Sequence, residues 1–240
     1  MAVALIVAAG RGERLGSGRP KALVMLSGRP MLEWSVEALR QVRSVTQIVI
    51  ALPENELAAA PEGTIGVVGG ATRSESVRAA LTAAPTAMEQ AVIVHDAARP
   101  LASPELFERT LAELERHHCD AVIAAVRVSD TIKEVGDDGE TVRATLERSR
   151  LWAVQTPQVF RRSALERALR APASVLAAAT DDAWLVEQAA GVVRVTESDP
   201  GNIKITSPAD LRFAEMLIAE RGVALDRRQA NSPATLQGSP

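Results

Sequence analysis

Tyrosine is missing from the chain, and only three phenylalanines and three tryptophans stand among its 240 residues. Single-stranded nucleic acids are held on stacked aromatic platforms, and this chain has little to build one from. The core has to come from Ala, Val, Leu and Ile instead, in a sequence that is 47% hydrophobic. Cys119 is the only cysteine. No intrachain disulfide can form, a thiolate zinc centre has too few ligands, and a plain thiol in a reducing compartment is expected. No stretch of 18 apolar residues occurs, so no membrane-spanning helix is expected. No basic segment precedes a long apolar run at the start, so no signal peptide is expected and a cytoplasmic location follows. Charge of one sign is also lacking. A formal net charge of −3 gives no general field for nucleic acid or an anionic membrane, and any anion site must come from a local cluster of basic residues.

The apolar runs that are present are short and rich in β-branched residues: 3–9 (VALIVAA), 47–52 (QIVIAL), 65–70 (IGVVGG), 91–95 (AVIVH) and 121–126 (AVIAAV). Runs apolar on both faces predict buried strands of a mostly parallel sheet. Helical patterns separate them. In 31–42, Leu32, Val36 and Leu39 share a face; in 103–118, Ser103 is the expected cap, Pro104 the first helical residue, and Leu106, Phe107, Leu111 and Leu114 the buried stripe. Strands alternating with helices of this length predict an α/β fold, Rossmann-like, within a single domain over residues 1–224. The rhythm breaks after Asp130. Two polar-alternating runs around Asp137-Asp138-Gly139 predict a β-hairpin arm over about 129–155. Its apolar residues, Val142 and Leu146 among them, need a covering surface, and a second subunit is expected to supply it. Regular alternation resumes at 181–191, 192–198 and 202–206, and a last helix is expected to open at Ser207-Pro208-Ala209-Asp210 with Ser207 as its cap. The segment 225–240 is rich in Gln, Asn, Ser and Pro and is expected to be a disordered tail.

Two stretches carry chemistry. The first follows the opening strand: 7–23 (VAAGRGERLGSGRPKAL). Backbone N–H groups approach phosphate oxygens closely where side chains are absent, and Gly10 and Gly12 provide that at the carboxyl end of a strand. A dinucleotide fingerprint would need a third glycine where Leu15 stands, and the Gly-Lys-Ser/Thr of a P-loop is missing. Arg14 and Lys21 remain as fixed cations beside a glycine turn. That suits a triphosphate whose leaving group is pyrophosphate, because charge grows on the leaving oxygens in the transition state. The second stretch is 92–100 (VIVHDAARP), which delivers His95 and Asp96 at a strand end. A single carboxylate there can hold Mg²⁺ together with substrate phosphates, and Arg99 adds a cation for a second anionic group. His95 is read as structural, bonded to a backbone group.

These stretches, with 69–77 (GGATRSESV), 129–133 (SDTIK), 151–160 (LWAVQTPQVF), 180–187 (TDDAWLVE) and 202–206 (NIKIT), occur in this order. In that order the chain resembles the 2-C-methyl-D-erythritol 4-phosphate cytidylyltransferases of the non-mevalonate isoprenoid pathway, from about residue 3 to 222. The resemblance implies transfer of a cytidylyl group from CTP to a sugar-alcohol phosphate with Mg²⁺, in a homodimer joined through the arm. It implies that Arg14 and Lys21 hold the CTP phosphates, that Lys204 faces them, and that Asp96 is the metal ligand. Ala8, Ala9, Gly10 and Gly12 would shape the nucleotide pocket, and Gly70 and Ser76 would lie where the cytosine is read. Arg99, Thr131 and Arg148 would bind the acceptor, the last two from the opposite subunit; Thr156 and Thr180 are further candidates. Ala71 departs from the family, whose members often carry a polar residue there. One catalytic domain is expected, without the cyclase domain of some bifunctional relatives. A ribitol-5-phosphate cytidylyltransferase, a sugar-1-phosphate nucleotidyltransferase and a non-catalytic CTP-binding module remain as alternatives.

Overall fold

The computed structural model describes residues 1–10, 12, 15, 19–85 and 90–230, with side chains described as far as residue 220. The elements follow the alternation expected of an α/β chain. Strand β1 (Ala2–Val7) leads through a small ribbon, β2 (Met25–Leu26) and β3 (Arg29–Pro30), to helix α1 (Met31–Arg40) and strand β4 (Val45–Leu52). Strand β5 (Ile65–Val68), helix α2 (Arg73–Ala83), strand β6 (Ala91–Asp96), helix α3 (Pro104–His117) and strand β7 (Ala121–Arg127) come next. The arm strands β8 (Lys133–Val135) and β9 (Val142–Thr145) precede the long strand β10 (Trp152–Arg161). Helices α4 (Arg162–Ala168), α5 (Ala173–Ala178) and α6 (Asp182–Gln188), strand β11 (Val193–Glu197) and helix α7 (Pro208–Ala230) complete the described chain.

Seven strands form one sheet in the order β11-β7-β10-β6-β1-β4-β5. Every neighbouring pair in it is parallel except those made by β10, which runs antiparallel to both β6 and β7. Strand β1 shows why its residues are apolar on both sides. Ala2, Ala4 and Ile6 enter one core with Leu32 and Leu39 of α1 and Phe107 of α3. Val3 and Leu5 enter the other with Val77 and Leu81 of α2 and Leu165 of α4. The sheet is the middle of three layers, and alternate residues of one strand serve opposite layers. Fully burying a side chain of this size contributes roughly 1.5–3 kcal/mol, so β1 is fixed firmly and the turn that follows it has a rigid base.

The cap of α3 is as read: Ser103 Oγ accepts the Leu106 N–H at 3.3 Å, and Pro104 opens the helix. The start of α7 is too, with Asp210 N–H donating to Ser207 Oγ and Ser207 N–H to Asp210 Oδ2. Two boundaries differ. The segment 202–206 forms no strand; it is an extended loop pinned by Ile205 N–H to the Ala98 carbonyl and by burial of Ile205 against the small ribbon and α7. The last helix continues to Ala230, beyond the 224 expected as the end of the domain, because nothing between Pro208 and Ala230 breaks a helix except the single Gly222. The rest of the expected tail lies outside the described residues.

Candidate active site

The carboxyl ends of β1 and β6 are adjacent in the sheet, and a cleft of about 610 Å³ opens above them. Its walls are Val7–Gly10 and Gly12 after β1, Gly70–Arg73 and Ser76 at the start of α2, Asp96–Ala98 after β6, and Lys21, Lys204 and Thr206. Open α/β sheets bind ligands at this end of their strands.

Backbone closure builds the first wall. Ala8 N–H donates to the Ala51 carbonyl at 2.9 Å, and Lys21 N–H reaches back to the Gly10 carbonyl at 3.3 Å. Gly12 sits at φ +69°, and a Cβ there would lie 2.7 Å from the Lys21 Cβ. Only glycine lets the turn come that close to Lys21, which is how the lysine is brought to the cleft. Arg14 lies outside the described residues.

A capping box builds the opposite wall. Thr72 Oγ1 accepts the Glu75 N–H, and Glu75 Oε2 accepts the Thr72 N–H at 3.0 Å. Ser76 is buried, and its hydroxyl accepts from Gly70 N–H at 3.1 Å and donates to the Thr72 carbonyl at 3.0 Å. That hydroxyl shapes the loop 70–72, so the loop's backbone is fixed at the cleft rim. Gly69 and Gly70 are required by space: added Cβ atoms would lie 2.4 Å from the Ala9 Cβ and 2.2 Å from the Glu75 Cβ.

The floor is electrostatic. Asp96, only 7% exposed, receives Arg73 Nε on Oδ1 at 3.1 Å and Lys204 Nζ on Oδ2 at 2.7 Å. Burial alone would push its carboxyl up, but Arg73 and Lys204 outweigh burial and hold it well below the ordinary carboxylate range. Arg73 also bonds, through Nη1, the fully buried Asp182. Four ionisable groups therefore stand in a row, Asp182, Arg73, Asp96 and Lys204, and burial pushes the Asp182 carboxyl up against the pull of Arg73. Arg73 stays protonated: burial works against its charge, and its two carboxylates more than offset that. Neither Arg73 nor Asp182 was singled out from the sequence, although both lie inside motifs recognised there.

Beside the floor, His95 Nε2 lies 3.1 Å from the Arg99 carbonyl, the backbone bond expected of a structural histidine. Arg99 does not line the cleft. Its Nη1 donates to the Asn202 carbonyl at 2.8 Å and its Nη2 to that of Val154 at 3.4 Å, tying together the segments that flank Lys204 and Thr156. Thr156 Oγ1 meets the Asp96 N–H and His95 Nδ1. Thr131 and Arg148 are exposed on the arm, Arg148 donating to the Ser129 carbonyl at 2.6 Å. No residue of the arm lines the cleft of its own chain among the described residues.

A divalent metal is general among nucleotidyltransferases, and the donors present are few. Among the described residues no three His, Cys, Asp or Glu side chains gather in a metal-binding group. Asp96 is the one carboxylate among the described residues that lines the cleft. That suits a hard cation which takes one protein carboxylate and completes its shell with phosphate oxygens and water. The Lys204 side chain, whose ammonium pairs with Oδ2, is 44% exposed.

A family model described as 2-C-methyl-D-erythritol 4-phosphate cytidylyltransferase matches residues 2–220. A protein of that name from Frankia casuarinae is 48% identical over 231 residues, covering 95% of this chain and 85% of that protein. One from Synechococcus elongatus is 42% identical, covering 90% and 96%. Among solved structures, the 2-C-methyl-D-erythritol 4-phosphate cytidylyltransferase of Thermus thermophilus superposes with a TM-score of 0.75 at 33% identity, covering 91% of this chain and all of that one. The 4-diphosphocytidyl-2C-methyl-D-erythritol synthase of Anaerococcus prevotii gives 0.78 at 30% identity, covering 91% and 98%.

Proposed function

Because the chain belongs to the 2-C-methyl-D-erythritol 4-phosphate cytidylyltransferase family, we propose that it transfers the cytidylyl group of CTP to 2-C-methyl-D-erythritol 4-phosphate, forming 4-diphosphocytidyl-2-C-methyl-D-erythritol and pyrophosphate. The observation that carries this reading is the row of charges at the cleft floor. Asp96 stands between Arg73 and Lys204 and lines the same cleft as the glycine turn and Lys21.

Both substrates are anionic, so the protein's task is alignment and neutralisation of charge. An oxygen of the acceptor phosphate attacks the α-phosphorus in line. The bond from that phosphorus to the bridging oxygen breaks, and its electron pair leaves with pyrophosphate. Lys21 and Arg14 hold the triphosphate and stabilise the charge that develops on it. Lys204 orients the phosphates from the opposite side. Ala8, Ala9, Gly10 and Gly12 form the pocket floor through backbone groups, and Gly70 with the loop fixed by Ser76 reads the cytosine edge. Asp96 would hold Mg²⁺, which when bound neutralises phosphate oxygens as a Lewis acid. Arg99, Thr131 and Arg148 serve the acceptor, the last two reaching a partner's cleft in a homodimer joined by the arm. No described helix is long and apolar enough to cross a membrane, and we place the enzyme in the cytoplasm, acting on small molecules rather than nucleic acid.

The test is pyrophosphate release from CTP and Mg²⁺ with each of two acceptors, 2-C-methyl-D-erythritol 4-phosphate and ribitol 5-phosphate. Faster turnover of the first is expected. Preference for ribitol 5-phosphate would reassign the acceptor, and CTP binding without pyrophosphate release from either would make the protein a binding module.

A further inference from the structure

Asp182 is the first residue of α6 and is fully buried. The helix does not need it as a cap, since Asp181 Oδ1 already accepts the Trp184 N–H at 2.8 Å. A buried carboxylate without a partner is strongly unfavourable, and here the partner is Arg73, 109 residues away in the chain. The pair links α6 to the first residue of α2 and, through Arg73, to Asp96 at the cleft floor.

The guanidinium geometry shows what this link does. Arginine favours a two-bond fork onto a single carboxylate. Arg73 does not make that fork with Asp96: it gives Nε to Asp96 and Nη1 to Asp182, and among the described residues Nη2 bonds neither. The side chain is 23% exposed and lines the cleft. Asp182 thus anchors the guanidinium through Nη1 while Asp96 takes only Nε, although Nη2 beside Nε could have completed a fork onto Asp96. Burial pushes the Asp182 carboxyl up while Arg73 opposes that shift, and its Oδ1 has no hydrogen-bond partner among the described residues, so the contact that holds Arg73 is the single bond from Nη1.

We propose that Asp182 is a positioning residue for the transfer reaction: it restrains Arg73 so that the guanidinium keeps a single bond to Asp96 and turns its remaining N–H group toward an anionic group of the bound nucleotide. The inference rests on the cytidylyl-transfer reading. It implies that Asp96 keeps an oxygen available to Lys204 or to a metal only while Asp182 holds Arg73 back.

The test is a double-mutant cycle on the full chain with D182N, R73Q and the double variant. Asn is nearly isosteric with Asp; it removes any negative charge and turns one acceptor oxygen into an N–H donor. D182N is expected to lower kcat/KM for CTP by on the order of tenfold, with KM for the acceptor unchanged, and the double variant is expected to match R73Q alone, because groups acting as one unit are not additive. Losses that multiply, or a D182N value within about twofold of the wild type, overturn the proposal. Should D182N fail to fold, R73K decides: its ammonium keeps the charge but cannot bridge two carboxylates as the fork does, so a wild-type kcat/KM in R73K overturns the proposal and an impairment of the same order as R73Q supports it. The cycle is read in parallel on CTP affinity by titration calorimetry. A wild-type protein that binds CTP without turnover overturns the functional reading, whereas unweakened CTP binding by D182N, or by R73K where D182N does not fold, overturns the positioning role.

Discussion

The hydrogen bonds around His95 decide which of its nitrogens carries the proton. Nε2 faces the Arg99 carbonyl, which can only accept, so Nε2 bears hydrogen. Burial keeps the ring neutral, so with the proton on Nε2 the bare Nδ1 accepts the hydrogen of Thr156 Oγ1, which itself accepts the Asp96 N–H. The neutral ring is the form this arrangement needs, and it packs edge-on against Phe107 at 5.0 Å. Burial lowers the pKa of His95 to about 4, with Asp96 opposing the shift and Arg99 and Arg73 adding to it. In the unfolded chain the ring titrates near 6.5. Between these values the unfolded state binds more protons, so stability is complete above about pH 6.5 and falls as pH drops toward 4, by up to about 1.4 kcal/mol per pH unit from this one group. Urea unfolding of the wild type at pH 7.5 and 5.0, set against H95Q, checks this. The wild type is expected to lose more stability across the interval than H95Q, and equal losses would remove His95 as the cause. At this scale the sequence was readable where residue type and strand position agree. Asp96 and the two glycines of the turn follow strand ends, Lys21 follows the glycine turn and Lys204 was reached only through the family resemblance; all five line one cleft, and His95 finds its backbone partner. Arg73 and Asp182 were not readable in the same way. Their partners lie 23 and 109 residues away, and Asp182 beside Asp181 looks like one more acidic residue at a helix start.

Elements whose residues alternate between two cores announce themselves, and β1, β4, β6 and β7 were visible for that reason. The direction of β10 was not, because a strand's own pattern says nothing about which way its neighbours run. It is antiparallel because the chain leaves β7 through the arm and returns directly alongside, pairing Trp152 with Arg127. The segment 202–206 shows the converse error. Its alternation of Ile203, Lys204 and Ile205 reads as a strand, yet it serves as a loop because Asn202 is bound by side-chain hydrogen bonds to Gln155 and the Thr156 carbonyl rather than by a ladder. In the proposed reading the loop 69–72 carries nucleotide recognition, and its shape follows from the absence of side chains at Gly69 and Gly70. In Gly70→Ala, the new Cβ would overlap the Glu75 Cβ and crowd the Glu75 backbone at 3.1 Å. The capping box must then shift, at roughly 1–3 kcal/mol as in other overpacked sites. A lower melting temperature together with a raised KM for CTP and little change in KM for the acceptor is expected. A variant that binds CTP normally would show that the loop does not read the nucleotide.

The topology of the whole molecule gives the arm its direction. β10 is antiparallel to β6 and to β7, so β6 and β7 point the same way, and the arm leaves the sheet from the edge that bears Asp96 and the glycine turn. Two short strands are not stable alone in water, and β8 and β9 are exposed along their length. Val135, Val142, Leu146 and Val154 present apolar side chains on or beside them. A second copy would cover that surface and bring Thr131 and Arg148 to a cleft that its own chain does not share with them. Mixing distinguishes this arrangement from a site completed within one chain. Lys21→Ala is expected to reduce kcat by on the order of 10²-fold, as for other losses of a transition-state charge contact, and Arg148→Ala is expected to impair use of the acceptor. In a mixed dimer, one cleft combines both defects. The other has an intact Lys21 and receives an intact Arg148 from the partner. After full subunit exchange half the dimers are mixed, each with one sound cleft, so about a quarter of wild-type activity is expected to return if the site is shared across a two-fold dimer. If exchange is verified by differently tagged subunits and activity stays at the level of the separate variants, each cleft is complete within its own chain and the arm has another role.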